Sequence, residues 1–249
     1  MSRISSLIGV VIALLAWNHA GAALLAYEPF DYPPSELLSG QSSGTGFVGS
    51  WEQGGFNAYV NDVFRISPGA LTYHGLVTKG SNHVAVEAVQ GPGIAGLTRF
   101  FSNNIAVPGQ IYYLSFLHRP DAAEDYASLV VGIGEGKELS IGKSGTVRMY
   151  HISQRGGVNR VLSDVTPVVG RTVFLVVKMD FRDGPDRFTL FVNPAPGKPE
   201  PVGAFIKDDL DLEFADRICL YSRAAWSVDE IRFGDTWNDV TPALAAPGK

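Results

Sequence analysis

The chain has 249 residues, of which 45% are hydrophobic and 18% are charged, and its formal net charge is −5. This composition excludes a disordered chain, and the acidic balance argues against a nucleic-acid partner, which normally binds a basic patch. A chain of this length can bury a core without a metal or a disulfide, and its 28 glycines and 15 prolines indicate many turns between short strands.

The first 22 residues have the pattern of a secretory signal peptide. Arg3 is the only charged residue of this segment, and an apolar run over residues 7–17 leads to the small residues Ala20 and Ala22. This run is shorter than the roughly 20 apolar residues that a membrane-spanning helix needs. We therefore expect cleavage after Ala22 or Ala23, and a secreted protein, extracellular or periplasmic, with no membrane span.

The following residues alternate between strand-like runs and turn residues. Runs rich in β-branched and aromatic residues are separated by glycine, proline, asparagine and aspartate, which predicts an all-β sandwich or barrel. No linker-like break divides the chain, so we expect one domain over residues 23–249. The glycine-rich stretch at residues 39–50 is expected to wrap the edge of the sandwich. Strands are predicted at residues 70–73, 83–89, 97–101, 110–118, 128–133, 147–153, 172–181, 187–192, 218–222 and 227–233.

Two local patterns make this prediction more specific. Tyr112, Leu114 and Phe116 occupy alternate positions and should share one face of a strand. The turn residues from Asp183 to Asp186 lie between two predicted strands and should join them as a hairpin.

Three carboxylates alternate with leucines at Asp209, Asp211 and Glu213. On a strand they would share one face, about 6–7 Å apart in succession, and a pair of carboxyls is what a glycoside hydrolase uses. The stretch resembles the E-x-D-x-E signature of jelly-roll glucanases, although Asp209 is one methylene shorter than the expected glutamate. The same run belongs to an acidic patch over residues 208–216, for which a solvated surface connection is the alternative.

Four aspartates are candidate calcium ligands. Asp180, Asp183 and Asp186 bracket the predicted hairpin turn, where carboxylates and turn carbonyls could supply the oxygens that calcium binds. Turn capping by solvated aspartates is the alternative. Asp229 alternates in phase with apolar residues and should face inward, either as a further calcium ligand or as a hydrogen-bonded structural hub.

The tryptophans Trp51, Trp226 and Trp237 are the candidate sugar-binding side chains. An exposed aromatic ring is flat and apolar with a polar edge, which suits the face of a sugar ring. The same residues could equally fill the core or cover a sheet edge, so both interpretations stay open.

The carboxyl-terminal region resembles a known kind of domain. The run VDEIRFG at residues 228–234, followed by TWNDVTP at 236–242, is similar to the closing strand and tail of concanavalin A-like (LamG-type) jelly-roll domains. The subset that it most resembles occurs in secreted proteins of planctomycetes and verrucomicrobia. Further similar stretches, which extend the resemblance over nearly the whole mature chain, lie at residues 26–32, 112–117, 140–143, 175–181 and 191–197.

This resemblance implies an all-β fold, a concanavalin A-like jelly-roll sandwich of two antiparallel sheets, one of them concave and often used to bind glycans. Lectins, glucanases and polysaccharide lyases share this fold, so the fold alone does not choose an activity. No catalytic residue of these families maps onto a position of this chain.

The function expected is that of a secreted, non-catalytic module that binds a glycan or cell-surface polysaccharide, or takes part in cell-surface or matrix interactions. One alternative is a polysaccharide-degrading enzyme, a hydrolase or a lyase, that uses the acidic run. Another is a ligand-free structural envelope protein. We expect no required cofactor, with calcium as the metal that the aspartates could take, and no nucleic-acid partner.

Overall fold

The structure, a computed structural model, describes residues 24–54, 60, 62–123, 125–132 and 136–245. The predicted signal peptide, residues 1–22, lies outside the described residues. Within them, no helix is long and apolar enough to cross a membrane. The elements are β1 (Ala26–Glu28), β2 (Phe47–Glu52), β3 (Phe64–Pro68), β4 (Asn82–Val86), β5 (Ala95–Phe101), β6 (Ile111–Pro120), β7 (Ala127–Val131), β8 (Leu139–Lys143), β9 (Tyr150–Gln154), β10 (Val158–Leu162), β11 (Val173–Asp180), β12 (Asp186–Val192), β13 (Phe205–Leu210), β14 (Arg217–Ser222), β15 (Trp226–Gly234) and α1 (Trp237–Val240).

Two antiparallel sheets form a sandwich, which confirms the predicted all-β jelly-roll class. The eight-stranded sheet has the order β13-β12-β11-β6-β15-β4-β3, and β1 pairs with the second half of β15. The seven-stranded sheet has the order β10-β9-β8-β7-β14-β5-β2. A bulge between Asp229 and Arg232, where Glu230 has a φ of 55°, lies at the point where β15 exchanges its neighbour β4 for β1.

The main core lies between the two sheets. Leu114 and Phe116 of β6 are fully buried in it and Tyr112 packs against it, so their predicted shared face is confirmed. Strands of both sheets contribute aliphatic and aromatic residues to this core because side chains alternate between the two faces of a strand.

The observed strands test three local predictions. The hairpin at residues 183–186 is confirmed, because β11 and β12 pair antiparallel on either side of it. The predicted strand at residues 70–73 is wrong, because this segment is irregular. The Leu71 amide donates to the side-chain carboxylate of Asp229 at 2.9 Å and not to the backbone carbonyl of a neighbouring strand. The stretch at residues 39–50 lies at the edge of the seven-stranded sheet, but its residues 47–50 belong to the edge strand β2 and do not form a loop.

The outer faces of the two sheets differ. Helix α1, which begins with a capping box between Thr236 and Asp239, packs with the irregular segment at residues 70–77 on the outer face of the eight-stranded sheet. The outer face of the seven-stranded sheet has an open cleft over β7, β8 and β9. The apolar cluster under α1 consists of Leu71, Leu76, Tyr113, Leu117, Phe174, Val176, Phe191, Trp237 and Val240.

His118 of β6 is a polar side chain inside the sandwich. It is fully buried and stacks on Trp226 with ring centroids 4.9 Å apart, and its Nδ1 lies 3.4 Å from the Tyr150 hydroxyl. Burial lowers the pKa of the imidazole to about 3. The ring is therefore neutral in the folded protein at neutral pH.

We expect His118 to make the protein less stable as the pH falls below about 6.5. The imidazole of the unfolded chain binds a proton in that range, whereas the buried ring does so only at a pKa of about 3, so stability falls by about 1.4 kcal/mol per pH unit. Urea unfolding at about pH 7 and about pH 5 measures this: the wild type should lose about 2 kcal/mol more than His118→Phe between the two conditions. Equal losses in both proteins would contradict the assignment.

Candidate functional site

Small polar side chains occupy adjacent strands on the outer face of the seven-stranded sheet. Directly paired positions on four neighbouring strands form a row across the sheet. Since neighbouring strands lie about 4.8 Å apart, such a row is roughly 14 Å long and offers a ligand several adjacent hydrogen-bonding positions. The first row crosses β14, β7, β8 and β9 through Tyr221, Ser128, Gly142 and His151. The second row crosses the same strands, and there Ser140 and Ser153 line the cleft, whereas Cys219 and Val130 are fully buried in a small apolar cluster.

The floor of this cleft is deeply buried and incompletely hydrogen-bonded. Ser153 is only 1% exposed, yet its Oγ has no hydrogen-bond partner within the described part of the chain. Such a buried polar atom costs about 1–3 kcal/mol when it is unsatisfied. His151 is 3% exposed, and its ring interacts with the backbone of Met149. Burial, with the positive charge of Arg160, lowers the pKa of His151 to about 4, so this neutral ring can both donate and accept.

Two stacked tyrosines form one wall of the cleft. The rings of Tyr126 and Tyr221 lie 5.4 Å apart with their planes inclined by 19°. The Arg155 guanidinium lies over Tyr221, 5.8 Å from the ring centroid, and pairs with the buried Glu138 carboxylate at 3.2 Å. Burial, reinforced by Tyr221, raises the pKa of the Tyr126 hydroxyl above its usual range, so this hydroxyl stays protonated and can donate a hydrogen bond.

Gly142 leaves the centre of the cleft floor without a side chain. Its φ is 150°, and a Cβ at this position would collide with the backbone oxygen of Ala127 on β7. Alanine therefore does not fit unless a strand moves, and the floor between Ser128 and His151 is made of backbone.

The cleft encloses about 180 Å³. Its hydroxyls and imidazole both donate and accept hydrogen bonds, which suits a ligand rich in hydroxyl groups. No carboxylate lines it among the described residues, whereas glycosidases work with a pair of carboxyls. The lining residues are Tyr126, Ser128, Ser140, Lys143, Ser144, His151, Ser153, Arg155, Gly156, Gly157, Arg160 and Tyr221.

The acidic run does not form the predicted strand face. β13 ends one residue after Asp209, so Asp211 and Glu213 lie in the connection that follows. The chain leaves the sheet there because the Leu212 amide donates to the Asp186 carboxylate at 2.9 Å and Glu213 has a positive φ of 53°. None of the three acidic candidates lines the cleft.

The three tryptophans are packed inside the fold. Trp51 and Trp226 are fully buried in the main core, and Trp237 packs in the cluster under α1. The Trp51 indole donates to the Glu28 carboxylate at 2.9 Å, and the Trp237 indole donates to the Lys198 carbonyl at 2.8 Å. The aromatic side chains at the cleft are tyrosines instead, of which Tyr126 is half-buried and Tyr221 is buried.

The aspartates proposed as calcium ligands make other contacts. Asp186 accepts two backbone amides at 3.0 and 2.9 Å, Asp180 pairs with Arg182, and Asp183 is exposed in the hairpin turn. Asp229 also accepts two backbone amides, at 2.9 and 2.7 Å, and burial raises its pKa to about 8. The described residues contain no group of three or more side chains that could hold a metal ion, so calcium binding stays a prediction.

The residues that line the cleft were not predicted as site residues, although a pattern in the sequence marks them. Ser128, Ser140, His151 and Ser153 alternate with buried aliphatic or aromatic residues on three successive strands. Polar residues at such positions indicate a sheet face turned away from the core. The pattern does not reveal the tyrosine wall, because Tyr221 reaches the cleft only through the pairing of β14 with β7.

The fold has relatives among solved structures, although no family model and no curated protein matches the sequence. The chain is similar to an endo-1,3-β-glucanase from Streptomyces sioyaensis, with 10% identity, 86% of this chain and 96% of that chain covered, and a TM-score of 0.52. It is also similar to domain 4 of AbnA, a GH43 extracellular arabinanase from Geobacillus stearothermophilus in complex with arabinotriose. Here the identity is 14%, the coverage is 88% of this chain and 97% of that chain, and the TM-score is 0.51. These likenesses show a concanavalin A-like sandwich fold.

Proposed function

We propose that the protein is a secreted, non-catalytic β-sandwich module that binds carbohydrate in the cleft of the seven-stranded sheet. The unpartnered Ser153 Oγ at the cleft floor carries this proposal, because buried polar atoms normally have a hydrogen-bond partner. The tyrosine wall beside it suits the apolar face of a sugar ring. Secretion rests on the signal-peptide pattern of residues 1–22, and the resemblance suggests a bacterial protein.

The two similar solved structures support a carbohydrate ligand. One is a glucanase, and the other is an arabinanase domain in complex with arabinotriose. Because one fold hosts many functions, this likeness supports the ligand class only together with the polar cleft.

The charges of the cleft favour binding over hydrolysis. A glycoside hydrolase acts through two carboxyls that flank the scissile bond. The described lining of the cleft contains no carboxylate, and Asp209, Asp211 and Glu213 do not line it. In a ligand-free envelope protein, the unsatisfied Ser153 hydroxyl in the cleft floor would only cost stability.

Calorimetric titration with a panel of soluble polysaccharides, in calcium and in chelator, tests this function. At least one glycan should bind in chelator and release no reducing sugar. Tyr126→Ala should weaken that binding roughly 3- to 10-fold, whereas Ile206→Ala, an exposed position on the eight-stranded sheet, should leave it unchanged. Absence of binding to every glycan would overturn the proposal, and release of reducing ends would contradict its non-catalytic part.

Ser153→Ala should stabilise the free protein while it weakens glycan binding. Removal of the unpartnered buried hydroxyl should raise the free energy of unfolding by about 1 kcal/mol, which raises the Tm by about 2–4 °C at this chain length. Ser115→Ala is the matched control. Ser115 on β6 is equally buried but donates to the Val240 carbonyl at 2.8 Å, so its loss should destabilise the protein by about 1–2 kcal/mol. A destabilised Ser153→Ala protein with normal binding would assign the hydroxyl a structural role.

A further inference from the structure

The cleft continues into a second hollow on the same side of the sandwich. Lys143 and Ser144 line both the cleft and this adjacent hollow of about 400 Å³. The second hollow extends past Arg148 to Thr166 and Pro167. The two hollows together, named the long groove, offer room for several units of a polymer rather than for a single sugar.

The charged side chains that line the long groove are all basic within the described part of the chain. They are Lys143, Arg148, Arg155 and Arg160, and no described Asp or Glu lines either hollow, although the whole chain has a net charge of −5. Arg155 is neutralised by Glu138 at 3.2 Å. Arg148 and Arg160 are exposed and make no ion pair with any described carboxylate, so their charges are available to a ligand.

We propose that the long groove binds an anionic glycan, a polymer whose sugars carry carboxylate or sulfate groups. This inference rests on the proposed function of the cleft and specifies its ligand class. An arginine is always charged and can donate two parallel hydrogen bonds to such an anion. Arg160 lines the cleft and Arg148 lines the second hollow, an arrangement that fits anionic groups repeated along a chain.

Binding of polygalacturonate, dextran sulfate and neutral dextran, measured by calorimetry at low and high salt, tests this proposal. An anionic polymer should bind at least about tenfold more tightly than neutral dextran, and its affinity should fall with salt because exposed charges are screened. Arg148→Gln and Arg160→Gln should each weaken anionic binding roughly 3- to 5-fold. Arg65→Gln is the matched control, since Arg65 is a half-exposed arginine of the eight-stranded sheet and its loss changes the net charge equally.

The outcomes distinguish this proposal from the function on which it rests. Preference for polygalacturonate or for dextran sulfate identifies the recognised group as carboxylate or sulfate. If neutral glycans bind as tightly, with an affinity that depends on Tyr126 but not on the two arginines, the cleft binds carbohydrate and the anionic preference is wrong. If no glycan binds, both proposals are wrong. If Arg65→Gln weakens binding equally, or duplex DNA binds as well, the attraction is unspecific and the proposal is overturned.

Discussion

Arg99→Ala should destabilise the protein by about 3–5 kcal/mol, because it leaves a buried carboxylate without its counter-charge. Arg99 of β5 and Glu28 of β1 are almost completely buried, and Nη1 of Arg99 lies 3.1 Å from Oε2 of Glu28. Glu28 also accepts hydrogen bonds from the Tyr32 hydroxyl at 2.7 Å and the Trp51 indole at 2.9 Å. Burial raises the pKa of Glu28, so without Arg99 this carboxyl must take up a proton or remain an isolated buried charge.

Arg99 has a second role that adds to this effect. Its Nη2 donates to the carbonyls of Ser42 and Ser43 at 3.1 and 3.0 Å, which attaches the stretch at residues 39–50 to the sandwich. Hydrogen exchange of the amides in this stretch should therefore become faster in Arg99→Ala than the loss of global stability alone requires.

The contribution of burial is isolated by comparing this buried ion pair with an exposed one, using the free energies of unfolding from chemical denaturation. Arg65 and Glu87 lie 3.7 Å apart, but their side chains are 48% and 68% exposed, so Arg65→Ala should cost no more than about 1 kcal/mol. The double variant Glu28→Gln with Arg99→Met removes both buried charges and should recover much of the loss. Equal costs for Arg99→Ala and Arg65→Ala would show that burial adds nothing to this ion pair.

The other large effect is expected for Trp226→Ala, which should cost about 3–5 kcal/mol and lower the Tm by roughly 6–20 °C. Trp226 is fully buried at the start of β15, where it is opposite Val86 of β4 and Pro120 of β6. Its ring stacks on His118 at 4.9 Å. Removal of the indole would leave a cavity between two well-packed sheets, which cannot collapse to fill it.

Trp226→Phe is the matched variant for this position. The indole Nε1 has no hydrogen-bond partner among the described residues, so phenylalanine loses packing volume but no hydrogen bond and should cost less than half as much as alanine. Scanning calorimetry of both variants, together with measurement of their glycan binding, shows whether Trp226 is a core residue or a sugar-binding surface. An unchanged Tm with a loss of glycan binding would mean that Trp226 is a sugar platform and not a core residue.

The strands that the sequence predicts correctly are those with long apolar alternation. β6, β11, β12, β14 and β15 lie where the periodicity indicates them, and β4, β5, β7 and β9 overlap the shorter predicted runs, because a period of two is a local property of the backbone. β1, β2, β3, β8, β10 and β13 are not predicted as strands. They are short, and several have mixed polar patterns, so the strands that pair with them supply much of their stability.

The same holds for the candidate site residues: their local pattern was visible in the sequence, but their contacts with residues further along the chain were not. The acidic run alternates like a strand, but the strand ends where the Leu212 amide donates to the carboxylate of Asp186, which lies 26 residues earlier on the neighbouring strand β12. Glu28 and Arg99 lie 71 positions apart, and no local pattern marks them as partners. This ion pair forms only when β1 and β5, which belong to different sheets, are brought together.

The sequence by itself determined the all-β class, the central strands, the hairpin at residues 183–186 and the buried face of β6, because these follow from alternation and turn chemistry within a few residues of one another. Only the tertiary structure decided that α1 covers part of the outer face of the eight-stranded sheet and where the cleft of the seven-stranded sheet lies. It buried the three tryptophans, separated the acidic candidates, and brought Ser128, Ser140, His151, Ser153 and Tyr221 into one cleft. The physical reason is that burial and hydrogen bonding at these positions depend on pairings between strands distant in sequence, which local periodicity does not encode.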